Sequence, residues 1–309
     1  MSSDKRSFII ASPPYNEING GAIVLHKLCH LLNQCGYCAY IYPFYGSAIY
    51  NIENGTQFIS ESFRIAARRY LKRYTVNSNF LTPIFHKSLS NKKLITVYPE
   101  IVIGNPLKAQ NVVRWFLCEP GTHTSVVSIN KNDLLVDFRS FLTGFTFGKS
   151  IKYPVQLYIT HIPLDIFNLN EAVEPSKRRG SAYCLRKGKH RQIVHDLKDS
   201  ILIDGKSHLE VAKILKSVKT FYSYDLYTAY SWFATLCGAS SIVVPQDGLD
   251  SSQWFPESQK PYGVAYGSSE LEYAHSTAAL LQNKLIEDES KMIEHVKIFA
   301  DFAISHFAL

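Results

Sequence analysis

Between Phe8 and Tyr42 the chain spells out one complete strand, loop, helix and strand, and no other stretch narrows the fold so far. The apolar run Phe8-Ile-Ile-Ala-Ser12 is stopped by Pro13 and Pro14, and a polar loop then runs to Gly20-Gly21. Residues 22–34 place Ile23, Leu28, Leu31 and Leu32 on or near one helical face, and Gly36 ends that helix. Cys38-Ala-Tyr-Ile-Tyr42 is a second strand, halted by Pro43. A crossover helix between neighbouring strands makes them parallel, so the chain opens as a βαβ unit.

The same alternation continues. Short strands are expected near 94–97, 101–103, 112–117, 133–137 and 155–160. The polar, charged stretch 168–180, which carries Pro175, reads as a linker. Beyond it strands are expected at 181–186, 200–203, 220–223 and 241–244. Helices are expected from Ser207, over about 225–236, and from Ser268 to the end. The fold class is therefore α/β with two Rossmann-like domains. They cover 1–170 and 171–284, with 285–309 crossing back onto the first, and 309 residues suffice for both.

Composition limits the partners. A formal charge of +7 favours anionic ligands, but no nucleic-acid module accompanies it, so no nucleic acid is expected. No run of about 18 apolar residues is present, and the first apolar run is too short for a signal peptide. Six cysteines lie mostly in apolar segments, and the one CxxC, Cys35 to Cys38, falls at a helix-to-strand turn. Reduced thiols of a cytoplasmic protein are expected. There is no HExxH and no paired-cysteine zinc pattern, so no metal is expected.

Four groups of residues carry candidate chemistry. Gly20 and Gly21 precede a helix whose free N–H groups suit an anion; a tight turn without ligand is the alternative. Glu17, in the same loop, is either a base or hydroxyl acceptor, or a solvated carboxylate. Arg186 and Lys187 stand at the end of an expected strand, where cations can neutralise a diphosphate leaving group, or merely form a basic turn. In Tyr222-Ser-Tyr224-Asp225-Leu-Tyr-Thr228, Asp225 either caps a helix or holds sugar or ribose hydroxyls, and Thr228 lies on a helix surface or contacts phosphate. Glu100, Glu119 and His123 follow apolar runs of the first half, where a base for an acceptor hydroxyl would be needed.

The segments 19–43, 98–121, 181–191 and 222–245 together resemble the two-domain GT-B glycosyltransferases, especially bacterial enzymes that build capsule, O-antigen and lipooligosaccharide. The resemblance implies two Rossmann-like domains facing each other across a cleft. It implies a nucleotide-sugar as co-substrate with no metal or other cofactor, and a glycan or lipid-linked acceptor. It places Gly20, Gly21, Arg186 and Lys187 at the donor phosphates and Tyr224, Asp225 and Thr228 in the donor half. Glu17, Glu119 and His123 are left to position or deprotonate the acceptor. Many retaining members carry two glutamates eight residues apart; here the positions hold Asp225 and Phe233, so the second acid is missing. The DxD motif of metal-dependent sugar transferases is absent too. The basic stretch 61–74 is either a peripheral contact with the inner membrane face, a solvated face, or a groove for acceptor phosphate. Two rivals remain: a nucleotide-sugar epimerase of the same architecture, and a non-catalytic glycan- or nucleotide-binding subunit.

Overall fold

The computed structural model describes residues 6–44, 74–86, 91–123, 127, 129–145, 148 and 150–308. Apart from Tyr74, the basic stretch 61–74 lies outside the described residues. The chain forms a mixed α/β structure of two compact units, one of residues 1–161 with 289–309, the other of 162–288.

In the first unit, β1 (Ser7–Ser12), α1 (Gly20–Gln34) and β2 (Cys38–Pro43) make the βαβ opening. Strands β3 (Leu94–Pro99), β4 (Asn111–Phe116), β5 (Leu134–Asp137) and β6 (Ile151–Gln156) complete a parallel sheet in the order β2-β1-β3-β4-β5-β6. β1 is buried along its whole length between β2 and β3, which explains its unbroken apolar sequence. Leu25, Leu28, Leu31 and Leu32 of α1 are buried against one sheet face. Each such side chain contributes roughly 1.5–3 kcal/mol of burial. Met292, Val296, Phe299 and Ala303 of the C-terminal helix join the same core.

Two expectations differ in this unit. Residues 101–103 form no strand. They make a turn, with Val102 N–H on the Pro99 carbonyl, and Val102 and Ile103 are buried. Arg114 fixes that turn from inside: its guanidinium donates to Val102 O and to Gly104 O, at 2.5 and 2.8 Å, and to Asp133 Oδ2 at 3.1 Å. The last strand runs over 151–156, not 155–160; its exposed Ile151 and Val155 belong to an edge, where one-sided burial blurs the apolar signal.

The second unit contains β7 (Ser181–Cys184), β8 (Ser200–Leu202), β9 (Thr220–Ser223), β10 (Ser240–Val243) and β11 (Val264–Tyr266) in the order β11-β10-β9-β7-β8, all parallel. Helices α2 (His208–Leu215), α3 (Tyr230–Leu236), α4 (Ser251–Trp254) and α5 (Leu271–Thr277) follow their strands, and α6 (Leu281–His306) ends the chain. Ser207 and Glu210 form a reciprocal cap on α2. The helix expected from residue 225 begins only at Tyr230, because 225–229 are used in turns.

The segment expected to be a linker is tied into this unit. Phe167, just before it, lies in the core, and Arg178, within it, is buried. The Arg178 guanidinium donates to Cys237 O at 2.8 Å and to Leu215 O and Val218 O at 3.4 Å. It thus places a cation at the carbonyl ends of α2 and α3, where the helix dipole is negative.

Candidate functional site

In a parallel sheet whose order reverses, ligands bind beyond the carboxyl ends of the two strands flanking the reversal. In the second unit those strands are β7 and β9. The residues that leave them are Leu185-Arg186-Lys187-Gly188 and Tyr224-Asp225. Two of the four candidate groups therefore meet at one switch point.

Arg186 adopts a left-handed backbone, φ +43°. For a residue with a β-carbon that conformation costs roughly 1–3 kcal/mol, and such strain concentrates at functional sites. Asp204, just beyond β8, holds it there: its Oδ2 accepts the N–H groups of Arg186 and Leu185, at 2.8 and 3.2 Å. The guanidinium lies over the Tyr230 ring, 4.9 Å from its centroid. Lys187 is exposed. Asp204 Oδ1 is buried with no hydrogen-bond partner among the described residues.

Gly188 is packed against the strand opposite. A β-carbon there would lie 2.1 Å from the carbonyl oxygen of Tyr224. Arg191 Nη1 donates to that same carbonyl at 2.7 Å, and Nη2 to the carbonyls of Val244 and Pro245 at 2.9 and 2.5 Å. The Arg191 cation is thus spent on backbone oxygens from the ends of β9 and β10. Tyr224 is only 1% exposed, and its hydroxyl binds the Val194–His195 segment. Its side chain anchors the loop rather than facing a ligand.

Asp225 is buried, and its Oδ1 accepts Tyr227 N–H at 3.1 Å. It caps a turn, not the helix foreseen at this point. Thr228 Oγ1 accepts the N–H of Tyr230 at 3.4 Å, the first residue of α3. Phe233, eight residues beyond Asp225, stacks on Phe167 with ring centroids 3.8 Å apart and 10° between the planes. An apolar ring fills the position where a second acid was sought.

In the first unit the reversal falls between β1 and β3. Glu17 and Asn19 line a hollow of about 660 Å³ with Pro13, Pro14, Tyr15, Asn16 and Thr75. Asn19 caps α1 by accepting the N–H of Ala22 at 3.2 Å. Neither Gly20 nor Gly21 has a positive φ. A β-carbon at 20 would meet nothing within 4 Å, and one at 21 only ordinary contacts with Asn19 and Leu117. The fold itself does not require glycine at either place.

Glu100 is committed elsewhere: it is buried and accepts Leu117 N–H at 2.9 Å and the Cys118 thiol at 3.0 Å. Glu119 and His123 lie exposed in the turn after β4. Behind the hollow, His26 is fully buried, with Nε2 3.1 Å from the Pro13 carbonyl. That oxygen only accepts, so the ring proton sits on Nε2. Nδ1 is left buried without a partner, and burial pushes the pKa down to about 4.

The residues that sequence reasoning passed over are those that shape the loop. Asp204 carried a usable signal, a carboxylate directly after the expected strand 200–203 at the same edge as Arg186. Gly188 and His195 gave none, because their roles depend on Tyr224, more than 28 positions away in the chain. Cys35 and Cys38 are both free thiols, as are the other four cysteines.

Among the described residues no group of three or more His, Cys, Asp or Glu side chains has the arrangement to hold a metal ion. None of the described helices is long and apolar enough to cross a membrane. Neither the protein-family models nor the curated proteins compared with this chain match it.

Proposed function

We propose that the protein is a glycosyltransferase of the GT-B kind, moving a sugar from a nucleotide-sugar to a hydroxyl of a bacterial surface glycan or lipid-linked acceptor. One observation carries this: Arg186, held in a left-handed conformation by Asp204, and the exposed Lys187 stand at the β7–β9 switch point. Two cations at a strand end suit a diphosphate, and they stabilise negative charge as it develops on the departing nucleotide. On this reading the second unit takes the donor, with Asp225 and Thr228 beside the cations, and no metal or other cofactor is needed. The first unit supplies the acceptor side, where Glu17, Glu119 or His123 deprotonates the hydroxyl. The setting is cytoplasmic, with the acceptor reached at the inner membrane face.

The test is thermal unfolding of the protein with UDP, GDP, CMP and their sugar derivatives. A nucleotide at about 100 times its dissociation constant stabilises by about 2.7 kcal/mol, which is a shift of several degrees. If none of them raises the midpoint, the proposal is wrong.

A second reading draws support from Phe233. With the second acid position filled by a buried, stacked ring, a non-catalytic nucleotide-binding subunit is the rival. It predicts stabilisation by nucleotide with no release of nucleoside diphosphate from any sugar donor, with or without glycan acceptors.

A further inference from the structure

The crossover from β7 to β8, residues 185–199, contains no α-helix. On the sheet face it spans, Tyr183 of β7 and Tyr222 of β9 are covered instead by one imidazole. His195 stacks on Tyr222 at 4.5 Å and 20°, and lies 4.9 Å from Tyr183.

Hydrogen bonds fix the state of that ring. The Tyr224 hydroxyl accepts the N–H of Val194 at 2.8 Å and, more weakly, that of His195 at 3.4 Å. Its own proton is therefore free for His195 Nδ1, 2.8 Å away. The neutral imidazole then carries its proton on Nε2 and donates to Ser200 Oγ at 3.0 Å, an oxygen that also accepts from Ser181 Oγ at 2.8 Å. In this tautomer Nε2 has no lone pair for Ser200, so the trio is not a nucleophile with its base. It is a tether from the end of β9, through the loop, to the start of β8.

Tyr224 holds the loop at three heights. Its carbonyl meets Gly188 and Arg191, and its hydroxyl meets Val194 and His195. The loop so wound begins with Arg186 and Lys187. We infer that His195 is a positioning residue of the nucleotide-sugar site: the Tyr224–His195–Ser200 tether pins the far end of the loop whose near end presents Arg186 and Lys187 to the donor diphosphate. This rests on the glycosyltransferase reading above.

Protonation breaks the tether. A proton on Nδ1 removes the acceptor of the Tyr224 hydroxyl and turns a third donor toward that oxygen. The groups around the ring are the phenols of Tyr183, Tyr222 and Tyr224, the hydroxyls of Ser181 and Ser200, and the neighbouring carboxylate of Asp196. Arg191 lies over the Tyr224 ring at 5.8 Å. Burial disfavours the cation and Asp196 favours it, with a net lowering of the His195 pKa. The loop is thus held while His195 is neutral and let go below the ordinary histidine range.

The experiment is amide exchange by mass spectrometry over 186–199 in the full chain, corrected for intrinsic rates, in steps from about pH 7.5 down to about pH 4.5. Wild type, Tyr224→Phe, His195→Ala and His195→Asn are compared, and UDP and GDP are titrated into each. Tyr224→Phe removes the hydroxyl's bonds to Val194 N–H, His195 N–H and His195 Nδ1, and His195→Ala removes those of both ring nitrogens. Since one bond of about 1 kcal/mol already corresponds to roughly fivefold, exchange over 192–196 rises at least about fivefold in both at the highest pH. His195→Asn, whose carboxamide oxygen still accepts, falls between. Wild type loosens on acidification, and both His195 variants lose that response. Nucleotide affinity falls about five- to tenfold in the loosened variants. Unchanged exchange and affinity in all three variants overturn the positioning role while leaving the donor site standing. A wild-type protein that binds neither nucleotide overturns the donor site, and the positioning role with it.

Discussion

Gly188 lies so close to Tyr224 that a β-carbon at 188 would sit 2.1 Å from the Tyr224 carbonyl oxygen. The backbone of Gly188 is otherwise ordinary, without a positive φ, so the collision is the sole reason for glycine. Gly188→Ala must push the loop off the end of β9. A cost of about 1–3 kcal/mol is expected, as for an overpacked core, with at least a tenfold weaker affinity for nucleoside diphosphate. Thermal unfolding and nucleotide titration measure both. A variant with wild-type values in the two assays would show that the loop does not need its place against Tyr224.

Arg186 offers the opposite test, in which stability and binding part company. Glycine there relieves the left-handed strain but loses the cation and its contact with Tyr230. Those effects oppose each other, so Arg186→Gly is expected within about 1 kcal/mol of wild-type stability. Nucleoside diphosphate affinity should nevertheless fall tenfold or more, as befits loss of a charge-assisted contact. Equal affinity by calorimetry would remove Arg186 from the site.

Gly20 and Gly21 have room for a methyl group and no unusual backbone. Alanine at either therefore stabilises the free protein, by roughly 0.4–1 kcal/mol, chiefly by restricting the unfolded chain. If the glycines keep space for a ligand, the same variants turn over sugar donor more slowly. Improved stability with undiminished turnover would assign them to the loop alone.

His26 predicts a pH dependence with a definite sign. Its folded pKa, about 4, lies below the unfolded value of about 6.5, so between these limits the unfolded chain binds the extra proton. Stability is complete above pH ~6.5 and falls as pH drops towards 4, by up to about 1.4 kcal/mol per unit. Urea denaturation across this range should show that slope reduced in His26→Leu. Parallel curves would mean that His26 does not resist protonation in the fold.

Elements were legible in the sequence whether their burial is complete, as in β1, or alternates along the strand, as in β2 and β9. β1, α1 and β2, whose apolar runs are punctuated by Pro and Gly, and β9 are placed within two residues. β11 escaped because three residues between Gly263 and Gly267 show no periodicity. Residues 101–103 misled because their apolar side chains are buried in a turn, around carbonyls that Arg114 satisfies from another strand. At the site, Arg186 and Lys187 were visible as cations after a strand. The resemblance placed Tyr224 in the donor half, whereas its hydroxyl is spent inside the loop. One-dimensional patterns report what a residue prefers; they do not report which distant group has already used its hydrogen-bonding capacity.

The helix-free crossover after β7 has an evolutionary consequence. A helical connection would bind its length to the sheet through a repeating register, so that one inserted residue rotates everything beyond it. Here the segment hangs from separate pegs at Gly188, Arg191 and His195, with Asp199 held by Ser181 N–H on its carbonyl, and the stretch from Asp196 to Lys198 carries none of them. Insertions in that stretch should be absorbed without disturbing the cations upstream, which leaves one portion of the second unit open to divergence while the rest stays fixed.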